Sequence, residues 1–210
     1  MRPGTRSQRG ETLVGLLVGM ALGLFVLAAG SAMLAQLLRG HQQSLQGNQQ
    51  TQDLDLALDM LTRELQNAQS VGQSDAAHTR SSQRCPDPFC DGPEDFSVGP
   101  NELLFSLDRD HNGAQDNNEC SGWRVKDGAL QVRTACAPAV WTALTDTRSL
   151  RMTGLQVRVL CTPINGWLQR QVQVLLQART VDNVARSLDR ASLVSLRNPM
   201  PLSQQSRACP

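Results

Sequence analysis

Residues 12–38 read TLVGLLVGMALGLFVLAAGSAMLAQLL, without one charged side chain. At about 1.5 Å per helical residue this run is long enough to cross a hydrocarbon core of roughly 30 Å. Arg2, Arg6 and Arg9 precede it, and Arg39 and His41 follow it. The arginine excess on the N-terminal side predicts a cytoplasmic N-terminus and an exported C-terminal bulk. All six cysteines (85, 90, 120, 136, 161 and 209) lie beyond the run, an even number in the compartment where disulfides persist. One reading is a secretory signal peptide cut among Ala28, Ala29, Gly30, Ser31 and Ala32. Signal peptides carry apolar cores of about 7–15 residues, shorter than this one.

A second reading starts from Gly10, followed by Glu11, Thr12, Leu13 and Val14. A short basic leader ending in Arg-Gly before an uninterrupted apolar helix resembles the cleavage site of type IV prepilins. The resemblance implies that a prepilin peptidase cuts between Gly10 and Glu11 on the cytoplasmic side, N-methylates Glu11 and leaves the apolar segment in place. The sequence departs from the family at two positions. Glu11 stands where the first mature residue is usually apolar, and Gly15 stands where the fifth is usually Glu. Some minor subunits tolerate changes there, so the departures point to a minor role.

Gly15, Gly19 and Gly23 recur every four residues on one helical face. Small residues at that spacing let a second helix backbone approach closely; the alternative is that glycine is simply common in membrane helices. Beyond Gly40 and Gly47, Leu54, Leu58, Leu61, Leu65 and Ala68 repeat at intervals of 4, 3, 4 and 3, an amphipathic helix stripe that Gly72 would terminate. The expected organisation is a leader over 1–10, a membrane half-helix over 11–38, an amphipathic half-helix over 39–72, a β-rich head over 73–198 and a tail over 199–210. The fold class is α+β, pilin-like, with a long N-terminal hydrophobic α-helix packed on an antiparallel β-sheet head.

Within the head, 73–83 reads as a polar loop, and 102–107 as a short strand. Residues 123–126 and 129–133 alternate around Asp127-Gly128, a hairpin with a two-residue turn suited to positive φ. Residues 140–144, 155–160 and 168–178 read as further strands, the last two around an Asn165-Gly166 turn. Cys85 and Cys90 are close enough in sequence for a local disulfide. The hairpin brings Cys120 near Cys136, predicting a second, and elimination leaves Cys161 for Cys209.

The sharpest chemical motif is Asp108-Arg-Asp110-His-Asn112-Gly113-Ala114-Gln-Asp116-Asn-Asn-Glu119. Oxygen donors at positions one, three, five, nine and twelve, glycine at six and a backbone carbonyl at seven (Ala114) fit a calcium loop. Its flanks read as strands rather than EF-hand helices. An Asp/Asn/Gly-rich turn that needs no metal fits as well. No cofactor is required by the sequence, and calcium is the one candidate.

Together the apolar run, LALDMLTRELQNA at 56–68, DRDHNG at 108–113 and GWRVKDGALQVR at 122–133 resemble PilW-type minor pilins, relatives of the J-type pseudopilins of type II secretion. The resemblance implies inner-membrane residence with a periplasmic head, and later placement in the pilus or at the cell surface. The implied partners are prepilin peptidase, other minor and major pilins and the inner-membrane assembly platform. A type II secretion pseudopilin, or a single-span anchored periplasmic protein with no filament role, is the alternative.

Other function classes find little support in the composition. The 210 residues carry 20 basic and 19 acidic side chains, hence no global field for nucleic acid. Aromatics are limited to Phe25, Phe89, Phe96, Phe105, Trp123, Trp141 and Trp167, with no Tyr, which leaves little for base stacking. His41, His78 and His111 are scattered, and no metalloprotease, nucleophile-elbow or phosphate-loop motif occurs. The chain is read as a non-enzyme.

Overall fold

The apolar run and the amphipathic stripe form one helix, α1 (Leu13–Gln66), in the computed structural model, which describes residues 13–70, 89, 92, 94–181, 185–205 and 209. The helix continues through Gly40 and Gly47. The chain divides into two units, one ending at Asn48 and the other beginning at Gln49. In the first, every large apolar side chain between Leu13 and Leu45 is exposed, from 75% at Leu13 to 50% at Leu45. A helix apolar on all sides is stable only where an apolar medium or other helices surround it.

In the second unit the expected stripe is the buried face of α1. Leu54, Leu61, Leu65 and Ala68 are fully buried, with Leu58 and Ala57 nearly so. The helix ends at Gln66, earlier than the anticipated stop at Gly72, which lies outside the described residues. Gln69, at φ 57°, takes the left-handed conformation beyond the last turn.

Nine strands follow among the described residues: β1 (Phe96–Gly99), β2 (Glu102–Ser106), β3 (Cys120–Lys126), β4 (Ala129–Ala135), β5 (Val140–Ala143), β6 (Leu150–Ile164), β7 (Trp167–Thr180), β8 (Ser187–Ser195) and β9 (Met200–Pro201). They form two antiparallel sheets rather than one, β1-β2-β3-β4-β5 and β6-β7-β8, with β9 also on β7. The β3–β4 hairpin turns at Asp127 and Gly128, φ 55° and 79°, and the β6–β7 hairpin at Asn165 and Gly166, φ 49° and 84°. Both are the two-residue positive-φ turns anticipated from the sequence. β6 begins at Leu150, before the expected Leu155, and its pairing with β7 continues across a bulge between Met152 and Gly154. β1 and β8 were not anticipated. Within the segment after β8, Met200 is buried and pairs with Leu168.

The buried face of α1 meets Phe96, Leu103, Phe105, Trp123 and Leu130 of the first sheet and Leu150, Met152, Leu155, Val172, Val174 and Leu176 of the second in one core. This is the α+β, pilin-like arrangement of a long helix with antiparallel sheets.

Arg170 interrupts that core, fully buried in the inward register of β7. It donates to Gln69 Oε1 and to the Asn198 carbonyl (3.1 Å), and lies 5.2 Å from the Phe96 ring centroid. Gln69 follows the C-terminal end of α1, where the helix dipole favours a cation. Burial nevertheless lowers the Arg170 pKa from its ordinary value to about 10. The folded state therefore disfavours the charged form, and that cost, complete below about 10, fades as pH rises from there towards the ordinary guanidinium range. Relative to Arg170→Met, the parent is expected to gain stability with pH across this window. Urea midpoints at stepped pH check it.

Candidate functional site

The Asp-rich loop joins β2 to β3, and both of its ends are anchored. Ser106 pairs with Cys120 across the two strands, and Leu107 N donates to the Glu119 carbonyl at 3.0 Å. This closure brings the first and last residues of the motif together, as strands rather than helices.

Asp108 and Glu119 are each 1% exposed, whereas Asp110 is open to solvent. Carboxylate oxygens of these three residues lie within 4.8 Å of one another. Asp108 accepts from Asn112 N (3.1 Å, Oδ1) and Gly113 N (3.0 Å, Oδ2), curling the loop at Gly113, whose φ is +79°. Glu119 accepts from Arg109 N (2.7 Å) and Asp116 N (2.8 Å), one bond on each carboxylate oxygen. Asn112 Nδ2 donates to Asp110 (2.9 Å) and Asp116 (3.1 Å), and Asn112 Oδ1 accepts from Ala114 N at 2.7 Å.

Of the anticipated ligands, Asp108, Asp110 and Glu119 thus converge directly. Asn112 and Asp116 join them through hydrogen bonds, and Ala114 lies on the rim of the turn. Three carboxylates at this separation repel one another, and two of them are largely removed from water. An all-oxygen anionic donor set of this kind suits a hard divalent cation such as calcium.

Contacts that the sequence does not announce hold the loop in place. Arg109 pairs with Glu64 of α1, which also accepts from Trp123 Nε1 at 3.0 Å. Gln115 Nε2 donates to buried Asp95 (3.0 Å), which accepts from Ser106 Oγ at 2.7 Å. Cys120 is bonded to Cys136, and Cys136 N donates to the Asn117 carbonyl at 2.8 Å, stitching the loop to the end of β4. No motif marks Glu64, because its partners lie 45 and 59 residues away. Arg170, by contrast, could have been found from its even-numbered place among inward Leu168, Val172 and Val174.

The second disulfide joins Cys161 to Cys209, with Cα atoms 6.3 Å apart, beside buried Leu168 and Met200. Cys85, Cys90, Gly10 and Glu11 lie outside the described residues. Gly15, Gly19 and Gly23 lie in the apolar part of α1, and a Cβ added at Gly19 or Gly23 would meet nothing within 4 Å. The surface at Gly19 and Gly23 is open to another helix.

The molecule therefore combines a disulfide-bonded β-rich head with a helix whose first half is apolar all round. No curated protein and no solved structure matches the chain. Residues 43–196 match the family described as prepilin peptidase-dependent protein B. That match takes in the amphipathic part of α1 and all of β1 to β8, so this chain belongs to the prepilin peptidase-dependent protein B family.

Proposed function

We propose that the chain is a PilW-type minor pilin of a type IV pilus, working by assembly rather than by catalysis. Prepilin peptidase cuts between Gly10 and Glu11 and methylates Glu11. The apolar half of α1 then holds the subunit in the inner membrane with its head in the periplasm. Through Gly15, Gly19 and Gly23 it packs against other minor and major pilins at the assembly platform and in the filament or its tip complex. The observation that carries this reading is the fully exposed apolar half of α1 in a chain of a peptidase-dependent family. The same features support a type II secretion pseudopilin as the second reading, and co-purification with pilus or secretion components separates the two.

Intact mass of the mature chain tests the assignment. Loss of residues 1–10 with one added methyl on Glu11 is the expected result, and Gly10→Val is expected to leave the chain uncut. An intact parental N-terminus, or cleavage near Ala32, sinks the pilin reading.

We also propose calcium for the Asp108, Asp110, Asn112, Ala114, Asp116 and Glu119 loop. Binding to the folded state alone adds about 2.7 kcal/mol of stability at a hundredfold excess over Kd. Calcium is expected to raise the melting temperature of the full chain in detergent, and Asp110→Ala to abolish the increase. A parental chain indifferent to calcium removes the metal.

A further inference from the structure

In the head, α1 carries the acidic residues Asp53, Asp55, Asp59 and Glu64. Asp55 pairs with Arg190, Asp59 with Arg63 and Glu64 with Arg109. Asp53 has no ionic partner among the described residues. It borders a cleft of about 210 Å³ between α1 and the β5–β6 connection, wholly within the second unit. Leu56, Met60 and Leu144 line this cleft while remaining 60%, 42% and 38% exposed. Asp146 on the opposite wall is already engaged by Arg148. The cleft thus offers apolar walls and one uncommitted carboxylate, Asp53.

The same unit carries the complement. Arg151 of β6 and Arg179 of β7 are directly opposed in register and exposed, and neither has an ionic partner among the described residues. Like charges at opposed positions of a sheet repel, so a carboxylate set against the two is favoured. Just beyond Arg179, Val181 is 48% exposed and is held by its N–H on the Ser149 carbonyl at 3.0 Å. The two surfaces also stand at one level of the head. Gln50 Nε2 donates to that same carbonyl at 3.0 Å; Asp53 follows Gln50 by three residues, and Arg151 follows Ser149 by two. Heads standing side by side in one orientation therefore bring the cleft of one level with the arginine pair of the next. We propose that the cleft receives the Arg151, Arg179 and Val181 corner of a second copy of this chain, with Asp53 against the two guanidinium groups and Val181 against Leu56, Met60 and Leu144. Apolar contact supplies the adhesion, and the charges set the register at which the heads meet. The inference rests on the reading above that the copies stand in one membrane in the same orientation.

Two differently tagged full-length copies co-expressed in the inner membrane test this, one carrying Leu56→Cys and the other Val181→Cys. Mild oxidation is expected to give a mixed dimer about tenfold above the pairing of Leu56→Cys with Gln169→Cys, an exposed control near the other end of β7. Asp53→Arg on the first copy is expected to reduce the dimer severalfold, and Arg151→Asp with Arg179→Asp on the second to restore it. Asp53→Asn, which only removes the charge, is expected to give a smaller loss in the same direction and serves if the reversal unfolds the head. Melting temperatures in detergent verify the fold of each charge variant. Equal cross-linking of the control, a yield indifferent to Asp53 in every folded variant, or cross-linking only to a different protein each overturns the proposal. The mature mass, read in the same cells, separates the two readings. A chain cut after Gly10 without a mixed dimer overturns the head contact alone. An uncut chain with the dimer overturns the processing and leaves the contact.

Discussion

Leu61→Ala is expected to lower the unfolding free energy of the full chain in detergent by about 2–5 kcal/mol. Leu61 is completely buried at the centre of the α1 stripe, flanked by Leu58 and Leu65, where α1 meets both sheets. The loss combines the transfer energy of the missing carbons with the cavity left among rigid neighbours. Leu56→Ala provides the contrast, because Leu56 is 60% exposed and should change stability by no more than about 0.5 kcal/mol. Chemical denaturation of both variants measures the difference. If they proved equal, α1 would not be held to the head through this face.

The double replacement Cys120→Ala, Cys136→Ala is expected to cost about 3 kcal/mol, the chain-entropy value for closing a loop of this size. The bridge spans 16 residues of sequence and joins the start of β3 to the end of β4. Cys120 is also 3% exposed, so its replacement removes some packing as well. Because Asn117 is held by the backbone of Cys136 and Ala137, the variant should further lose part of any calcium-induced rise in melting temperature. Thermal melts with and without calcium, together with melts of the reduced parent, distinguish the two consequences. Unchanged stability in both would assign the bridge no structural role.

What was legible in the sequence had local causes. The stripe from Leu54 to Ala68 follows the pitch of a helix, so its buried face could be read without knowing what covers it. Asp127-Gly128 and Asn165-Gly166 mark their hairpins because few residues accept positive φ, whatever the strands then do. The Asp108 to Glu119 motif was visible for the same reason, since its donors are ordered by one short turn. β8 escaped because its sequence, SLDRASLVS, mixes charges and serines, and only Val194 among its residues is fully covered. Its strand character comes from the long pairing with β7, a non-local cause.

The sequence by itself determined the apolar helix, its amphipathic continuation, the tight turns and the candidate ligand set, because each depends on residues within a few turns or a single loop. Tertiary structure alone decided the division of the strands into two sheets. It also decided the burial of Arg170 against the end of α1 and the Glu64 tie to Arg109 and Trp123. Each of those depends on side chains tens of residues apart whose meeting is dictated by the packing of the core, and no local pattern carries that information.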